Sequence, residues 1–90
     1  MHVDTIKEQI RRFIVEHFPV ARNRNLDDND PLLANGILDS LGVANVIVYI
    51  EQEFKITVSD EDLLPENFET IKCLTHFIKK KMDMSLQAAL

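Results

Sequence analysis

Ser40 is the residue of this chain with the clearest potential for chemistry. It lies in the run Gly-Ile-Leu-Asp-Ser-Leu-Gly at residues 36–42, after an Asn- and Asp-rich stretch and before a largely apolar one. Ser and Asp are favoured at the N-cap of a helix, so the run predicts a helix that begins at Asp39–Ser40. Two interpretations stay open at this point. Ser40 is only a helix cap, or its hydroxyl forms a phosphate ester at the electropositive end of that helix.

A hydrolytic role for Ser40 does not fit the sequence. A nucleophile elbow has Gly two residues before and two residues after the Ser, and position 38 is Leu. A nucleophilic Ser also needs a general base, and the histidines His2, His17 and His76 lie outside any motif. We therefore predict no catalytic residue. Modification of Ser40 would depend on a separate enzyme that supplies the base and the metal.

Metal binding and disulfide chemistry find little support. Residues 28–30, Asp-Asn-Asp, are similar to the start of a calcium loop, but that loop needs Asp or Asn fifth and Gly sixth. The chain has Leu32 and Leu33 at those places. The single Cys73 cannot form an internal disulfide, and a free Cys most often behaves as a small apolar side chain. We predict no metal site.

Length and composition predict one helix-rich domain that spans residues 1–90. A chain of this length buries only about 60% of the surface that its unfolded state exposes, so its core must be compact. With 46% hydrophobic residues, 2 Gly and 3 Pro, long stretches can form uninterrupted helix.

The charge balance argues against nucleic acid as a partner. The chain has 15 Asp and Glu against 10 Lys and Arg, a net charge of −5, whereas phosphate binding needs clustered Lys and Arg. The most apolar stretch, residues 43–50, is broken by Asn45 and is far shorter than the ~20 residues of a membrane span. With no leader peptide in view, we expect a soluble, cytoplasmic and monomeric protein.

Hydrophobic periodicity predicts three main helices. The first is expected at about residues 5–17, opened by a capping box of Thr5 and Glu8. The second begins at Asp39–Ser40, and the last is capped by Thr70 and is followed by a weakly ordered tail at 83–90. The ordered core is expected at about 5–82. Its predicted core residues are Ile6, Phe13, Val46, Ile50, Phe54, Leu74 and Ile78.

The connections complete an all-α architecture. Residues 20–39 have no periodicity and predict a long first loop, pinned to the core by Leu32, Leu33, Ile37 and Leu38. Residues 55–58 are a connection, and residues 59–62 carry a capping signature for one short helix that ends before Pro65. The predicted fold is a small antiparallel bundle of three main helices plus one short helix.

The second helix has two apolar faces. Its inward face is predicted to hold Val43, Val46, Ile47, Ile50 and Phe54; its outward face is predicted to hold Leu41, Ala44, Asn45 and Val48. A surface helix usually carries charge on its outward face. Either another element covers this face or a partner docks there.

Asp39-Ser40-Leu41 resembles the attachment motif of the acyl carrier protein family, and the resemblance extends over nearly the whole chain. The helix plan matches, as do several flanking features: Asp30-Pro31-Leu32, Gly36, residues 51–54 (Glu-Gln-Glu-Phe) and Thr70-Ile71. The resemblance implies a non-catalytic carrier. A phosphopantetheinyl transferase would transfer 4′-phosphopantetheine from coenzyme A to Ser40, and the arm would hold acyl or aminoacyl cargo as a thioester.

The resemblance also implies roles for neighbouring residues. Asp39 would position the transferase and its metal, and Leu41 would dock on the loading and transferring enzymes of lipid or specialised-metabolite biosynthesis. The cleft between the second and third helices would shelter apolar cargo.

The chain departs from fatty-acid carriers on the second helix. Those carriers place acids two and five residues after the modified Ser, where this chain has Gly42 and Asn45. In the low charge of its second helix, the chain resembles D-alanyl carrier proteins and other discrete, specialised carriers. The expected docking face is Leu41, Ala44, Asn45 and Val48, bordered by Glu51. An aminoacyl carrier, or an unmodified helical interaction module in which Ser40 is only a cap, remain the alternatives.

Overall fold

Among the described residues, the fold consists of four α-helices and two 3-10 turns. The computed structural model describes residues 2–22 and 26–88 of the chain. The helices are α1 (Val3–His17), α2 (Pro19–Arg22), α3 (Ser40–Phe54) and α4 (Ile71–Ala88), and the 3-10 turns are Asp60–Asp62 and Pro65–Asn67. The predicted all-α class is confirmed, with α1, α3 and α4 as the three main helices.

Helix α1 begins before the predicted residue 5, so the Thr5 capping box was wrong. His2 is the N-cap, and its Nδ1 accepts from the Asp4 backbone N–H at 3.1 Å. The helix ends at an extended Phe18. Pro19 then opens the short α2, which continues into the predicted loop at residues 20–39, because proline's fixed φ suits the first position of a helix. The four residues of α2 are too few to show a helical period in the sequence.

The long loop is tied to α1 and to the segment that precedes α4. Arg11 on α1 donates to the Leu26 carbonyl and to the Asp28 carboxylate, and Lys7 Nζ lies 3.0 Å from Asp28 Oδ2. On the other side, the Leu32 N–H donates to the Glu69 carbonyl at 2.8 Å. Further along the loop, Leu32, Ile37 and Leu38 are buried and Leu33 is half-buried, so the prediction that they pin the loop is confirmed.

The core lies between α1, α3, α4 and the loops. All seven residues predicted for it are buried: Ile6, Phe13, Val46, Ile50, Phe54, Leu74 and Ile78. Val43 and Ile47 are only partly buried on the inward side of α3. One polar residue, Thr75, joins the core because its hydroxyl donates to the Ile71 carbonyl at 2.8 Å.

Lys55 ends α3 with a left-handed backbone (φ 56°). Both predicted caps beyond it are confirmed: Asp62 Oδ2 accepts from the Ser59 N–H and hydroxyl at 3.0 and 2.9 Å. Thr70 Oγ1 accepts from the Cys73 N–H at 3.0 Å. Pro65, expected only to stop a helix, also starts the second 3-10 turn.

The last helix is longer than predicted, since α4 continues past Asp83 to Ala88. The boundary at residue 82 was therefore wrong, and residues 89–90 of the expected tail lie outside the described residues. No helix in the described part of the chain combines the length and apolarity that a membrane crossing requires.

Candidate functional site

Asp39, and not Ser40, caps the N-terminus of α3. Asp39 has an extended backbone, and its Oδ1 accepts from the Gly42 N–H at 2.7 Å. Ser40 is the first residue of the helix and is exposed to solvent. The interpretation of Ser40 as the helix cap is therefore wrong. The Ser40 hydroxyl takes no part in capping the helix.

Gly42 owes its place to close packing. It is buried, and a Cβ atom there would lie 2.9 Å from Cε1 of Phe18 and 3.3 Å from Oδ1 of Asp39. Contacts below 3.0 Å force a neighbour to move. The absence of an acid two residues after Ser40 therefore has a local cause: Phe18, which follows α1, covers this turn of α3.

An open, mostly apolar groove of about 670 Å³ runs beside Ser40, between α3 and the chain segment 63–68. Its lining residues are Leu33, Gly36, Leu38, Asp39, Ser40, Val43, Ala44, Ile47, Leu63, Leu64, Pro65 and Phe68. Leu63 and Leu64 are 48% and 46% exposed, so both place apolar surface at the edge of the groove. The cleft that the resemblance implied is therefore present as a groove between α3 and the 3-10 segment.

The site fits a phosphopantetheine arm on chemical grounds. Ser40 offers an exposed hydroxyl at the N-terminal turn of a 15-residue helix, where free N–H groups and the dipole favour a phosphate. The adjacent groove offers apolar surface to whatever the arm carries. The Ser40 hydroxyl makes no hydrogen bond to the residues that the structure describes.

The predicted docking residues on the outward face of α3 are exposed. Leu41 is 72% exposed and Val48 is 53% exposed, and Ala44 and Asn45 face solvent beside them. Glu51 differs, because it is half-buried and its Oε2 accepts from the Val58 N–H at 3.0 Å. Its carboxylate therefore anchors the connection after α3.

A second, smaller groove of about 500 Å³ continues this face toward α1. Its lining residues are Phe13, His17, Phe18, Asn45, Val48, Tyr49 and Gln52. The Tyr49 hydroxyl donates to the Gln9 carbonyl at 3.3 Å, and burial, helped by nearby Glu53, raises the Tyr49 pKa. Tyr49 is therefore a neutral bridge between α3 and α1.

Sequence reasoning missed three residues that line the main groove opposite α3: Leu63, Leu64 and Phe68. The available signal was the pair of leucines directly after the capping signature at 59–62. Phe18 and Tyr49, which border the docking face, were also missed. Both lie off the stripes that helical periodicity assigned to that face.

Comparison with known proteins identifies a matching family model and a curated relative. A family model described as "Phosphopantetheine attachment site" matches residues 8–78. An acyl carrier protein of Phytoplasma mali (strain AT) is 31% identical over 78 residues, which cover 87% of this chain and 89% of that protein.

Two solved structures contain chains of similar fold. A chain in a crystal structure titled as an FAD-dependent dehydrogenase is 32% identical with a TM-score of 0.69, over 77% of this chain and 97% of that chain. Another is in the structure of Bradyrhizobium japonicum glycine:[carrier protein] ligase complexed with glycylated carrier protein. It is 21% identical with a TM-score of 0.63, over 83% of this chain and 96% of that chain.

Proposed function

This chain belongs to the acyl carrier protein family, and from that premise we propose that Ser40 is the attachment site of its 4′-phosphopantetheine arm. A covalent 4′-phosphopantetheine group is the cofactor that this family membership implies. The observation that supports Ser40 is its position: it is exposed, it begins α3, and it lines the apolar groove.

The chain's own residues have a limited chemical task. Ser40 supplies the hydroxyl oxygen that forms the new ester bond to the pantetheine-side phosphorus of coenzyme A, and a phosphopantetheinyl transferase removes the hydroxyl proton. The diphosphate bond of coenzyme A breaks in the same step, and adenosine 3′,5′-bisphosphate leaves. Asp39 keeps the first turn of α3 formed by accepting from the Gly42 N–H. When bound, the arm supplies a terminal thiol that holds cargo as a thioester. The carrier then keeps cargo at high effective concentration for successive enzymes.

The groove favours an acyl group as cargo. Its walls hold Val43, Ile47, Leu63, Leu64 and Phe68, and burying alkyl surface among such residues contributes about 0.8 kcal/mol per methylene. A short aminoacyl group would gain little from these walls and would bring a charged amine toward them. The aminoacyl alternative therefore predicts no shelter of cargo in the groove.

The loading and transferring enzymes are proposed to dock on Leu41, Ala44, Asn45 and Val48. These residues surround the modified turn of α3 and are exposed. The remaining alternative, an unmodified interaction module, does not explain why the attachment-site family model matches this chain.

The test is the intact mass of the protein after incubation with coenzyme A and a broad-specificity phosphopantetheinyl transferase. Wild type should gain one arm, and Ser40→Ala should gain none. Ser59→Ala is the matched control, because Ser59 is also an exposed serine just before a helical turn, and it should gain the arm as wild type does. A mass gain that persists in Ser40→Ala, or a wild type that never gains the arm, would overturn the assignment.

A further inference from the structure

The segment 63–67 is a thin wall with open space on both of its sides. Toward α3 lies the groove of about 670 Å³ that Ser40 lines. Toward α4 lies another groove of about 500 Å³, lined among others by Asn67, Cys73 and Phe77. Leu64 borders both grooves. Residues 63–66 are exposed, and the turn Pro65–Asn67 contacts α4. The position of the exposed leucines in the wall therefore depends on how its two ends are held.

The C-terminal end of the wall is held by aromatic packing. Phe68 is 2% exposed, and its ring centroid lies 6.0 Å from that of Phe77 on α4. This contact belongs to the hydrophobic core. Because this contact is apolar, it holds one end of the wall without an ion pair.

The N-terminal end of the wall is held by Asp62. Its Oδ2 accepts from Lys81 Nζ on α4 at 2.7 Å, and from the Ser59 N–H at 3.0 Å. The Asp62 carbonyl accepts from Asn67 Nδ2 at 2.8 Å. One residue thereby connects the start of the wall, the end of the wall and α4.

The Asp62–Lys81 pair is partly shielded from solvent. Side-chain exposure is 22% for Asp62 and 18% for Lys81. By contrast, Lys79 and Asp83 pair at 3.3 Å within α4, with side chains 36% and 53% exposed. The hydrogen bond from Lys81, followed by that from the Ser59 N–H, lowers the Asp62 pKa to about 2. Shielded, charge-assisted hydrogen bonds are the stronger kind.

We propose that Asp62 and Lys81 are positioning residues that hold the 63–67 wall against α4 and so set the width of the groove that shelters cargo on the Ser40 arm. The proposal rests on the proposed function, because the shelter has a role only if Ser40 bears an arm. Without the pair, Leu63 and Leu64 can move away from α3 into the space on the α4 side. The groove then opens, and a thioester held in it meets more water.

The first experiment uses the unmodified protein and amide hydrogen exchange. Within and around the wall, the Leu64 N–H donates to the Asp62 carbonyl and the Asn67 N–H donates to the Leu64 carbonyl, at 2.8 and 2.9 Å. Lys81→Met keeps an unbranched apolar stem but removes the charge. It should accelerate exchange of these amides about tenfold, while core amides of α1 keep their rates.

Asp83→Asn is the matched control, because it removes a carboxylate that pairs with a lysine on the same helix but does not touch the wall. Its wall amides should exchange as in wild type. Equal exchange in Lys81→Met and wild type, with unchanged circular dichroism, would overturn the role of the pair.

The second experiment tests the consequence for cargo. Octanoyl-coenzyme A and a broad-specificity transferase load wild type, Lys81→Met and Asp83→Asn, and hydroxylamine then cleaves the thioester to the hydroxamate and the free thiol. Cleavage of the octanoyl group should be about threefold to tenfold faster in Lys81→Met than in the other two proteins. The acetyl-loaded proteins, whose cargo is too short to be sheltered, should all react alike.

The two proposals fail in different ways. A wild type that accepts no arm overturns the proposed function and the sheltering role with it. An arm that attaches normally, with octanoyl cleavage equal in Lys81→Met and wild type, overturns only the positioning role of Asp62 and Lys81. Equal acceleration of acetyl and octanoyl cleavage would also overturn it, because shelter would then not be what the mutation changed.

Discussion

At the start of α3, the Asp39 carboxylate accepts from the Gly42 N–H, while the neighbouring Ser40 stays exposed. Capping and the proposed cofactor attachment therefore belong to adjacent but different residues. We therefore expect a change at Ser40 to leave the helix intact, and a change at Asp39 to destabilise the turn that presents the hydroxyl.

This division of roles predicts that substitutions at Asp39 and Ser40 have different effects on the free energy of unfolding. Asp39→Ala should lower the free energy of unfolding by about 1 kcal/mol, because the cap is lost. Ser40→Ala should stay within about 0.5 kcal/mol of wild type, because alanine suits the first turn of a helix. Urea denaturation followed by circular dichroism measures both. A larger loss for Ser40→Ala than for Asp39→Ala would show that Ser40 contributes to the cap.

Gly42 allows a second prediction at the residue scale. Introducing the acid that fatty-acid carriers have there, Gly42→Asp, should cost about 2 kcal/mol, because its Cβ would strike the Phe18 ring and its carboxylate would be partly buried. Asn45→Asp is the control, since it introduces the same charge at an exposed site of the same helix. It should change stability by less than about 0.5 kcal/mol. Equal effects of the two substitutions would contradict the packing explanation.

At the scale of the element, α3 serves two surfaces at once. Val46, Ile50 and Phe54 are 1%, 0% and 4% exposed and hold the helix in the core. Leu41 and Val48 stand on the outward side with more than half of their surface in solvent. A surface helix with so little charge on its outward face is suited to apolar docking.

An apolar docking face predicts weak salt dependence of cargo loading. Affinity for the cognate loading enzyme should change little between low and physiological salt, because charge steering is minor. Val48→Asp should weaken loading more than Glu51→Gln, since it places an unpaired charge in an apolar contact. The Glu51 carboxylate also accepts a hydrogen bond from the Val58 N–H within the carrier itself. A loading assay across a salt series measures this, with the exposed Glu53→Gln as control. Greater damage from Glu51→Gln, or loss of wild-type loading in salt, would contradict it.

At the scale of the whole molecule, α1 connects parts of the chain that are far apart in sequence. It packs against α2 and α4, and Arg11 and Lys7 reach Asp28 in the long loop. The same loop is tied to the start of α4, because the Lys72 N–H donates to the Asp28 carbonyl at 3.1 Å. Asp28 thus joins α1, the loop and α4, and the loop in turn leads to Ser40.

This arrangement predicts that Arg11 matters far more than its neighbour Arg12. Arg11→Met should lower the free energy of unfolding by about 1–3 kcal/mol, because charge-assisted hydrogen bonds to Leu26 and Asp28 are lost. Arg12 is exposed, so Arg12→Met should remain within about 0.5 kcal/mol of wild type. Thermal or urea unfolding of both variants measures the difference. Similar stabilities for the two would show that the loop is held by its apolar residues alone.

Sequence alone determined the features that depend on nearby residues. The main helices follow from apolar residues at helical spacing, and the caps Asp62 and Thr70 from capping chemistry. The serine at the start of α3 and the core residues were also predictable. These signals are local, because a helix turn places residues three and four apart on one face. Short elements such as α2 and the turn Pro65–Asn67 gave too few residues for any period.

Tertiary structure decided what distant residues do to one another. Gly42 is explained by Phe18, which precedes α2, and the wall beside Ser40 is held by Lys81 on α4. The role of Glu51 depends on the backbone of Val58. None of these pairs follows a helical or strand period, so no pattern in the sequence marks them. They exist only once the core has brought the elements together.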